Sequence, residues 1–463
     1  MKHWIISLFG YIILIINSIS MLGQENKSLE LVKLLNDGEF YKSRQLYSLL
    51  CDTISPDIDL YYKFRMATFI NKKDSAQIYL EKIFSEYPDL FGDETINMYG
   101  VLFDTYIYFR NMERGLFIYE HIKQHLKQNP YKIPQDELLE WSDDNEYRLS
   151  QLKSAIKQPP IRIKRKKTDE TIRLINKLKL QVWAHFNNSP CRIIFDTGLQ
   201  SFCVMSKSMA EHIGVKCDTS GISSGNINEH IPINKAIVDS IEIGNVTLYN
   251  IPVEVYEPDT LPYLSDSLSV DSETKESMNY SYSGFVTSII VGLPLMQWIG
   301  KFLIDNENME LNFPVSDKYK SCSKEPNLFV YNENLYTHLK LNEKDFIGYL
   351  DTGADEFIAI DTVFYEKHKE DIKIDTITAI MPFNYVTLSH VRNNISYMIP
   401  NSPILRFEDR VIRILTKRSI KIYPVSSIVS IKFFDGLIGY HCFRRLGKRV
   451  LLDLDNMRLD VQE

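Results

Sequence analysis

Two short stretches carry residue types that could do chemistry together. "CRIIFDTGLQSF" covers residues 191 to 202, and "FIGYLDTGADEF" covers 346 to 357. Each runs from apolar residues into Asp-Thr-Gly, which sets Asp196 and Asp351 in equivalent surroundings 155 positions apart. Two carboxylates brought within about 3 Å cannot both ionise, because like charges repel at that range. Such a pair shares one proton and titrates as a unit. Its ionised member can serve as a general base on water, while its protonated member donates a hydrogen bond to an acceptor. Gly198 and Gly353 suit the sharp turn and close backbone approach that a Cβ would obstruct. Asp-Thr-Gly also suits an ordinary β-turn, so the surrounding pattern has to decide.

That pattern is larger than the triplet. Downstream of the first lies "IIVGLPLMQWIGKFLIDNENMELNF", and downstream of the second lies "DGLIGYHCFRRLGKRVLLDLDNMRLDV". Gly292 matches Gly439, each after aliphatic residues. A short amphipathic segment follows in both. Then Asp305 matches Asp453, Asn308 matches Asn456, Met309 matches Met457 and Leu311 matches Leu459. Each half therefore reads strand, Asp-Thr-Gly, long β stretch, aliphatic-Gly, short helix, Asp-x-x-Asn turn, final strand. Two triplets in the same order of flanking features argue for internal duplication.

This arrangement resembles the aspartic peptidases of the pepsin and retropepsin superfamily. "LDTGADEF" is similar to the retropepsin form, and "FDTGLQSFCVMS" followed by "MAEHIGV" looks like the bacterial retropepsin-like proteins. The resemblance covers about 168 to 463, both lobes. It implies a mostly β, two-lobed acid protease fold, hydrolysis of peptide bonds and an Asp196/Asp351 dyad. It further implies that the hydroxyls of Thr197 and Thr352 bond across between the loops, and that Gly292 and Gly439 let a later strand cross close behind them. Two copies in one chain imply a single-chain, monomeric active unit acting on a peptide or protein substrate. The departures are Leu199 after the first triplet and Asp355 and Glu356 after the second. A descendant that keeps the fold without activity, serving as an envelope partner-binding scaffold, is the alternative. Hairpins at 219 to 233 and at 381 to 391, with Tyr385 near the tip of the latter, are the lid positions that the resemblance implies.

The elements that must position these residues follow from the texture of the chain. The start, "MKHWIISLFGYIILIINSISMLG", has a basic beginning, a short apolar run and small residues. That is the pattern of a signal peptide over 1–23, so an exported, periplasmic, envelope or secreted protein is expected. The run falls short of the ~20 apolar residues of a span, so no stable membrane span is expected after cleavage. Residues 25–155 have apolar residues at helix spacing. The pieces starting at 36, 71 and 110 align on Ser43, Ala76 and Gly115, a loose tetratricopeptide-like period that would offer a groove to a protein partner, and a plain helical bundle is the other reading of the same pattern. "RIKRKK" at 162 to 167, within 156–170, reads as a solvated basic linker or a processing site. β lobe 1 is expected over 171–318 and β lobe 2 over 325–463. "IGN" at 243 to 245 signals a hairpin, and the Ser-rich 259 to 284 signals a surface loop.

Composition excludes little else. A net charge of -7 gives no basic face for nucleic acid. The six Cys form no CxxC pair, and no HExxH, P-loop or GxGxxG occurs, so no metal or cofactor is expected. "GISSG" at 221 to 225 fits the serine-hydrolase elbow around Ser223. It lacks the strand before and helix after that the elbow needs, and a loop tip explains it better. "CDTSG" at 217 to 221 lacks an apolar run before Asp218 and reads as a turn.

Overall fold

The computed structural model describes residues 22–128, 135–217, 233–257, 286–315, 325–354, 357–372, 381–386, 391–396, 404–408, 410–413, 421–423 and 434–462. The signal pattern (1–21), the 259–284 loop, Asp218, Ser223, Asp355 and Glu356 lie outside the described residues. The chain divides into two compact units, Met1–Pro160 and Ile161–Glu463. Among the described residues no helix is long and apolar enough to cross a membrane.

The first unit is helical. Its helices are α1 (Leu22–Asn36), α2 (Phe40–Leu50), α3 (Pro56–Phe69), α4 (Lys73–Glu86), α5 (Thr95–Tyr108), α6 (Met112–Gln128) and α7 (Gln135–Lys157). The junctions α1–α2, α3–α4 and α5–α6 use one turn three times. Gly38, Asn71 and Arg110 sit in left-handed conformation (φ 75°, 55° and 57°). Glu39, Lys72 and Asn111 then each donate an N–H to the carbonyl five residues back, at 2.9, 2.8 and 2.9 Å. That is the Schellman helix ending. Five residues past each left-handed residue stand Ser43, Ala76 and Gly115, the three small positions aligned in the sequence. Ser43 is fully buried. A Cβ on Gly115 would lie 2.4 Å from Leu152 Cδ2 of α7, so the absence of a side chain sets that close approach. The helical hairpin is thus a repeated unit.

The second unit is built of β-strands in two halves. The first half holds β1 (Arg162–Arg165), β2 (Thr171–Arg173), β3 (Gln181–Phe186), β4 (Ser189–Asp196) and β5 (Cys203–Ser206). It continues with β6 (Ile233–Ile243), β7 (Val246–Tyr256), β8 (Ser288–Gly292), β9 (Lys301–Asp305) and β10 (Glu310–Asn312). The second half holds β11 (Leu328–Tyr331), β12 (Asn334–Leu341), β13 (Lys344–Asp351), β14 (Ile358–Asp361), β15 (Met381–Val386) and β16 (Val391–Ser396). Then come β17 (Ile404–Phe407), β18 (Arg410–Arg413), β19 (Lys421–Tyr423), β20 (Gly436–Gly439), β21 (Arg449–Asp453) and β22 (Arg458–Gln462).

The duplication inferred from sequence is a duplication of topology. In lobe 1 the strands run β3, β4, β8, β5, β7 across the sheet, and in lobe 2 they run β12, β13, β20, β14, β19. The β3–β4 hairpin turns on Asn187 and Asn188 (φ 49° and 66°), and the β12–β13 hairpin on Asn342 and Glu343 (φ 47° and 64°). Two successive positive φ values are those of a type I′ turn, whose twist matches that of the strands. The "IGN" signal is also realised: β6 and β7 pair over their full length around Gly244 (φ 57°).

A third sheet, β2-β10-β9-β21-β22, joins the lobes. At its centre β9 and β21 pair antiparallel, with Leu303 opposite Leu451, Lys301 opposite Asp453 and Asp305 opposite Arg449. Leu303 and Leu451 are themselves equivalent positions of the two copies, so the pairing has the form of a two-fold axis. Phe302, Ile304, Val450 and Leu452 are fully buried around it.

One expectation is corrected here. Residues 156–170 are not a free linker: the helix α7 runs to Lys157, and Arg162–Arg165 form the edge strand β1 on β7, with Arg162 opposite Tyr249. The Arg162 guanidinium lies 5.6 Å from the centre of the Tyr249 ring, and Arg165 donates to the Ile299 carbonyl. Basic residues are common on edge strands because charge there discourages pairing with other chains. A charged edge strand therefore reads like a linker. Lobe 1 begins about ten residues before the expected boundary at 171.

Candidate active site

The two Asp-Thr-Gly segments end β4 and β13 and meet at the lobe boundary. Behind each runs a parallel strand. β8 pairs with β4 so that Gly292 lies beside Asp196, and β20 pairs with β13 so that Gly439 lies beside Asp351. The crossing glycines expected from sequence stand in these positions. Space explains the first of them: a Cβ on Gly292 would come 2.0 Å from the Ser201 carbonyl oxygen and 2.6 Å from that of Leu199. The chain turning out of the active loop occupies that volume, held by Gly292 N–H to Phe202 O (3.0 Å) and Leu293 N–H to Leu199 O (2.9 Å). The second loop repeats both bonds through Gly439 N–H to Phe357 O and Tyr440 N–H to Ala354 O, each 3.3 Å.

The threonines lock the loops reciprocally. Thr197 N–H donates to Thr352 Oγ1 at 3.0 Å, and Thr352 N–H donates to Thr197 Oγ1 at 3.0 Å. Each hydroxyl then donates across the boundary, Thr197 to Leu350 O (2.7 Å) and Thr352 to Phe195 O (2.8 Å). Both threonines are buried, so all four bonds form away from water.

This lattice brings the carboxyls together. Gly198 N–H donates to Asp196 Oδ1 at 2.8 Å, and Gly353 N–H donates to Asp351 Oδ1 at 2.9 Å. Ala354 adds a second N–H to Asp351 Oδ1 at 3.0 Å. A Cβ on Gly198 would lie 2.8 Å from Asp351 Cγ, and one on Gly353 would lie 2.4 Å from Asp196 Cγ. Each carboxyl group thus packs on the glycine of the opposite loop, which neither glycine could permit with a side chain. The two carboxyl groups thereby face each other closely enough to influence each other's ionisation. Burial holds the Asp196 carboxyl above the ordinary carboxylate range, although Asp351, the Gly198 and Gly353 N–H groups and Lys179 all favour its ionised form. Asp351 is 8 % exposed.

The site as a whole brings together Asp196, Thr197, Gly198, Gly292, Asp351, Thr352, Gly353 and Gly439. Several participants gave no signal in the sequence: the carbonyls of Phe195 and Leu350, the N–H of Ala354, and Lys179. The Asp-x-x-Asn turns lie away from the dyad, at the ends of the inter-lobe sheet. Asp305 accepts the Asn308 N–H (2.9 Å) and Asp453 accepts the Asn456 N–H (3.0 Å), and Met309 and Met457 take φ of 58° and 51° just after. Of the two lid candidates, 219–232 lies outside the described residues. In lobe 2, β15 and β16 form a hairpin in which Tyr385 pairs with Arg392, one step before the last pair. Among the described residues Cys51, Cys191, Cys203, Cys217 and Cys442 are free thiols.

A family profile described as Aspartyl protease matches residues 182–271, from β3 through the first triplet and beyond β7. The β unit is similar to this family over that span, which holds the first triplet. Its second lobe repeats the strand order and loop bonding of the matched one. Two solved structures among those that match are retroviral or retropepsin-like. The retropepsin-like aspartic protease from Rickettsia conorii is 18% identical over 33% of this chain and 93% of that one, with TM-score 0.21. EIAV protease, in complex with the inhibitor HBY-793, is 19% identical over 20% of this chain and 93% of that one, with TM-score 0.12. No curated protein matches.

Proposed function

We propose that the β unit is an aspartic endopeptidase, with one active site formed by both lobes of a single chain. The observation that carries this reading is the reciprocal bonding of Thr197 and Thr352, which sets the Asp196 and Asp351 carboxyls each against the glycine of the other loop. In the resting pair one proton is shared. The ionised carboxyl takes a proton from a bound water as that water attacks the scissile carbonyl carbon. The protonated carboxyl donates to the carbonyl oxygen as negative charge develops there. The tetrahedral species collapses when the leaving nitrogen is protonated from the dyad, which returns to its one-proton state. No covalent link to the enzyme forms. Clamping the peptide between two lobes fixes water and carbonyl in line, which supplies a proximity term.

Around this core, the apolar start of the sequence supports export to the periplasm, envelope or outside. The repeated helical hairpins support a tetratricopeptide-like, partner-binding role for the first unit. The pairing of both loops within one chain supports a monomeric active unit.

The test is to incubate the purified chain with a denatured protein substrate from acid to neutral pH, with and without a statine-type inhibitor. Internal peptide bonds are expected to be cut, and one inhibitor per chain should stop it. Absence of cleavage at every pH would overturn the proposal.

A further inference from the structure

One short helix of the second lobe is fastened to both active loops. Tyr440–Leu446 follows Gly439 directly, and Gly439 lies beside Asp351 in the β13–β20 register. At its first residue, the Tyr440 N–H donates to the Ala354 carbonyl of the second loop at 3.3 Å. One turn further on, Arg444 reaches across to lobe 1. Its Nη1 donates to the Lys177 carbonyl at 2.8 Å, and its Nη2 lies 4.0 Å from Met309 Sδ. Lobe 1 has the same helix at Leu293–Ile299, with Leu293 N–H on Leu199 O at 2.9 Å. There Gln297 stands where Arg444 stands. An arginine in one copy thus corresponds to a shorter, neutral amide in the other.

The segment that Arg444 holds is the backing of the first loop. Asn176 Oδ1 accepts the N–H groups of Leu178 and Lys179 at 2.9 Å each, which folds the chain into a turn around Lys177. Asn176 Nδ2 donates to Gln181 Oε1 at 2.6 Å. Leu174 N–H donates to Met309 O at 2.8 Å, and Ile175 N–H donates to Gln181 O at 2.9 Å. These bonds make the turn and the start of β3 move as one piece. That piece includes Leu180, which is fully buried and whose carbonyl accepts the Phe195 N–H at 3.0 Å. Phe195 immediately precedes Asp196, and its own carbonyl accepts the Thr352 hydroxyl at 2.8 Å. The backbone that carries Asp196 is therefore placed by Leu180 from one side and by Thr352 from the other.

We propose that Arg444 is a positioning residue that sets the separation of the two carboxyl groups from behind the loops. This rests on the peptidase reading above. The threonine exchange ties the loops together at their centre. Arg444 ties the frame behind the first loop to the helix that holds the second. A charged donor makes a stronger bond to a carbonyl than a neutral one, and the planar guanidinium presents several donors in a fixed fork. Arg444 acts through the Asn176 turn and the Phe195 backbone and touches none of the reacting atoms. Without it the turn can recede, and Asp196 recedes from Asp351 with it. Mutual repulsion is what splits the two proton steps of such a pair, so a wider separation draws the steps together.

The experiment is the pH profile of kcat and KM on a fluorogenic peptide for the parent chain, Arg444→Met, Arg444→Lys and Arg445→Met. Arg445 is the exposed neighbour and serves as the control. Arg444→Met should lose roughly tenfold to a hundredfold in kcat with KM little changed, the scale on which a misplacement of about 1 Å acts. Its bell-shaped profile should also narrow by about one pH unit, the change in repulsion between charges moved from ~3 to ~4 Å apart at an effective dielectric of about 20. Arg444→Lys keeps a charged donor and should recover the width and most of kcat. Should Arg444→Met fail to fold, Arg444→Gln replaces it. A profile of parental width in the neutral variant, whatever its kcat, or the same narrowing in Arg445→Met, would overturn the role of Arg444. Absence of cleavage by the parent chain would instead overturn the peptidase reading.

Discussion

Thr197 and Thr352, 155 positions apart in the chain, each accept the other's N–H at 3.0 Å and each donate a hydroxyl to the strand preceding the other. This exchange is what turns two β-turns into one site. Replacing Thr352 by Val keeps the shape but strips both bonds, leaving the Thr197 N–H and the Phe195 carbonyl buried without partners. Each such group costs about 1–3 kcal/mol. Thr352→Val should therefore lose roughly 2–5 kcal/mol of stability and most of its cleavage activity, while Thr352→Ser should recover much of both. Thermal melts and kcat/KM on one peptide check this.

Gly292 gives a second expectation, separable from loop flexibility. A methyl group there would meet two backbone carbonyls at 2.0 and 2.6 Å, neither of which can turn aside. Gly214 takes φ +71° but has nothing within 4 Å of its would-be Cβ. Gly214→Ala should cost only the conformational penalty, about 1 kcal/mol. Gly292→Ala should abolish cleavage or prevent folding. Parallel urea titrations and activity measurements distinguish the two sites.

The inter-lobe sheet should be sensitive to acid at one end. Asp305 accepts the Asn308 N–H and the Arg449 guanidinium (2.9 Å each). Although burial alone would raise it, these partners hold its carboxyl below the usual range. A group depressed in the folded state adds stability above its unfolded value, ~3.9, and loses that contribution as pH falls through the folded value. Arg449 is substantially exposed, so the contribution is modest, about 1 kcal/mol. Asp305→Asn should lower the melting temperature at neutral pH, and the difference should close in strong acid. A gap that stays constant with pH would contradict this.

Much of the site was legible because the chain writes it twice. One Asp-Thr-Gly is a turn signal, whereas the pair with Gly292, Gly439 and the two Asp-x-x-Asn turns specified the order of elements in both lobes. What stayed illegible depends on which strands become neighbours. The pairing of Leu303 with Leu451 is a tertiary register that no local pattern encodes. "RIKR" looked like a linker because an edge strand needs only one apolar face and tolerates charge on the other. In the helical unit the small residues Ser43, Ala76 and Gly115 were visible. The left-handed turns that set their phase were not, since Asn71 and Arg110 stand where glycine would have announced them.

The most direct measurement uses Asp196→Asn and Asp351→Asn, purified separately and then mixed. Each variant alone should keep its fold and lose cleavage by at least about a thousandfold, the scale on which removing an essential acid–base group acts. Mixing them should restore nothing, because both carboxyls of a site come from one chain. Full activity in either single variant, or recovery on mixing, would contradict the account.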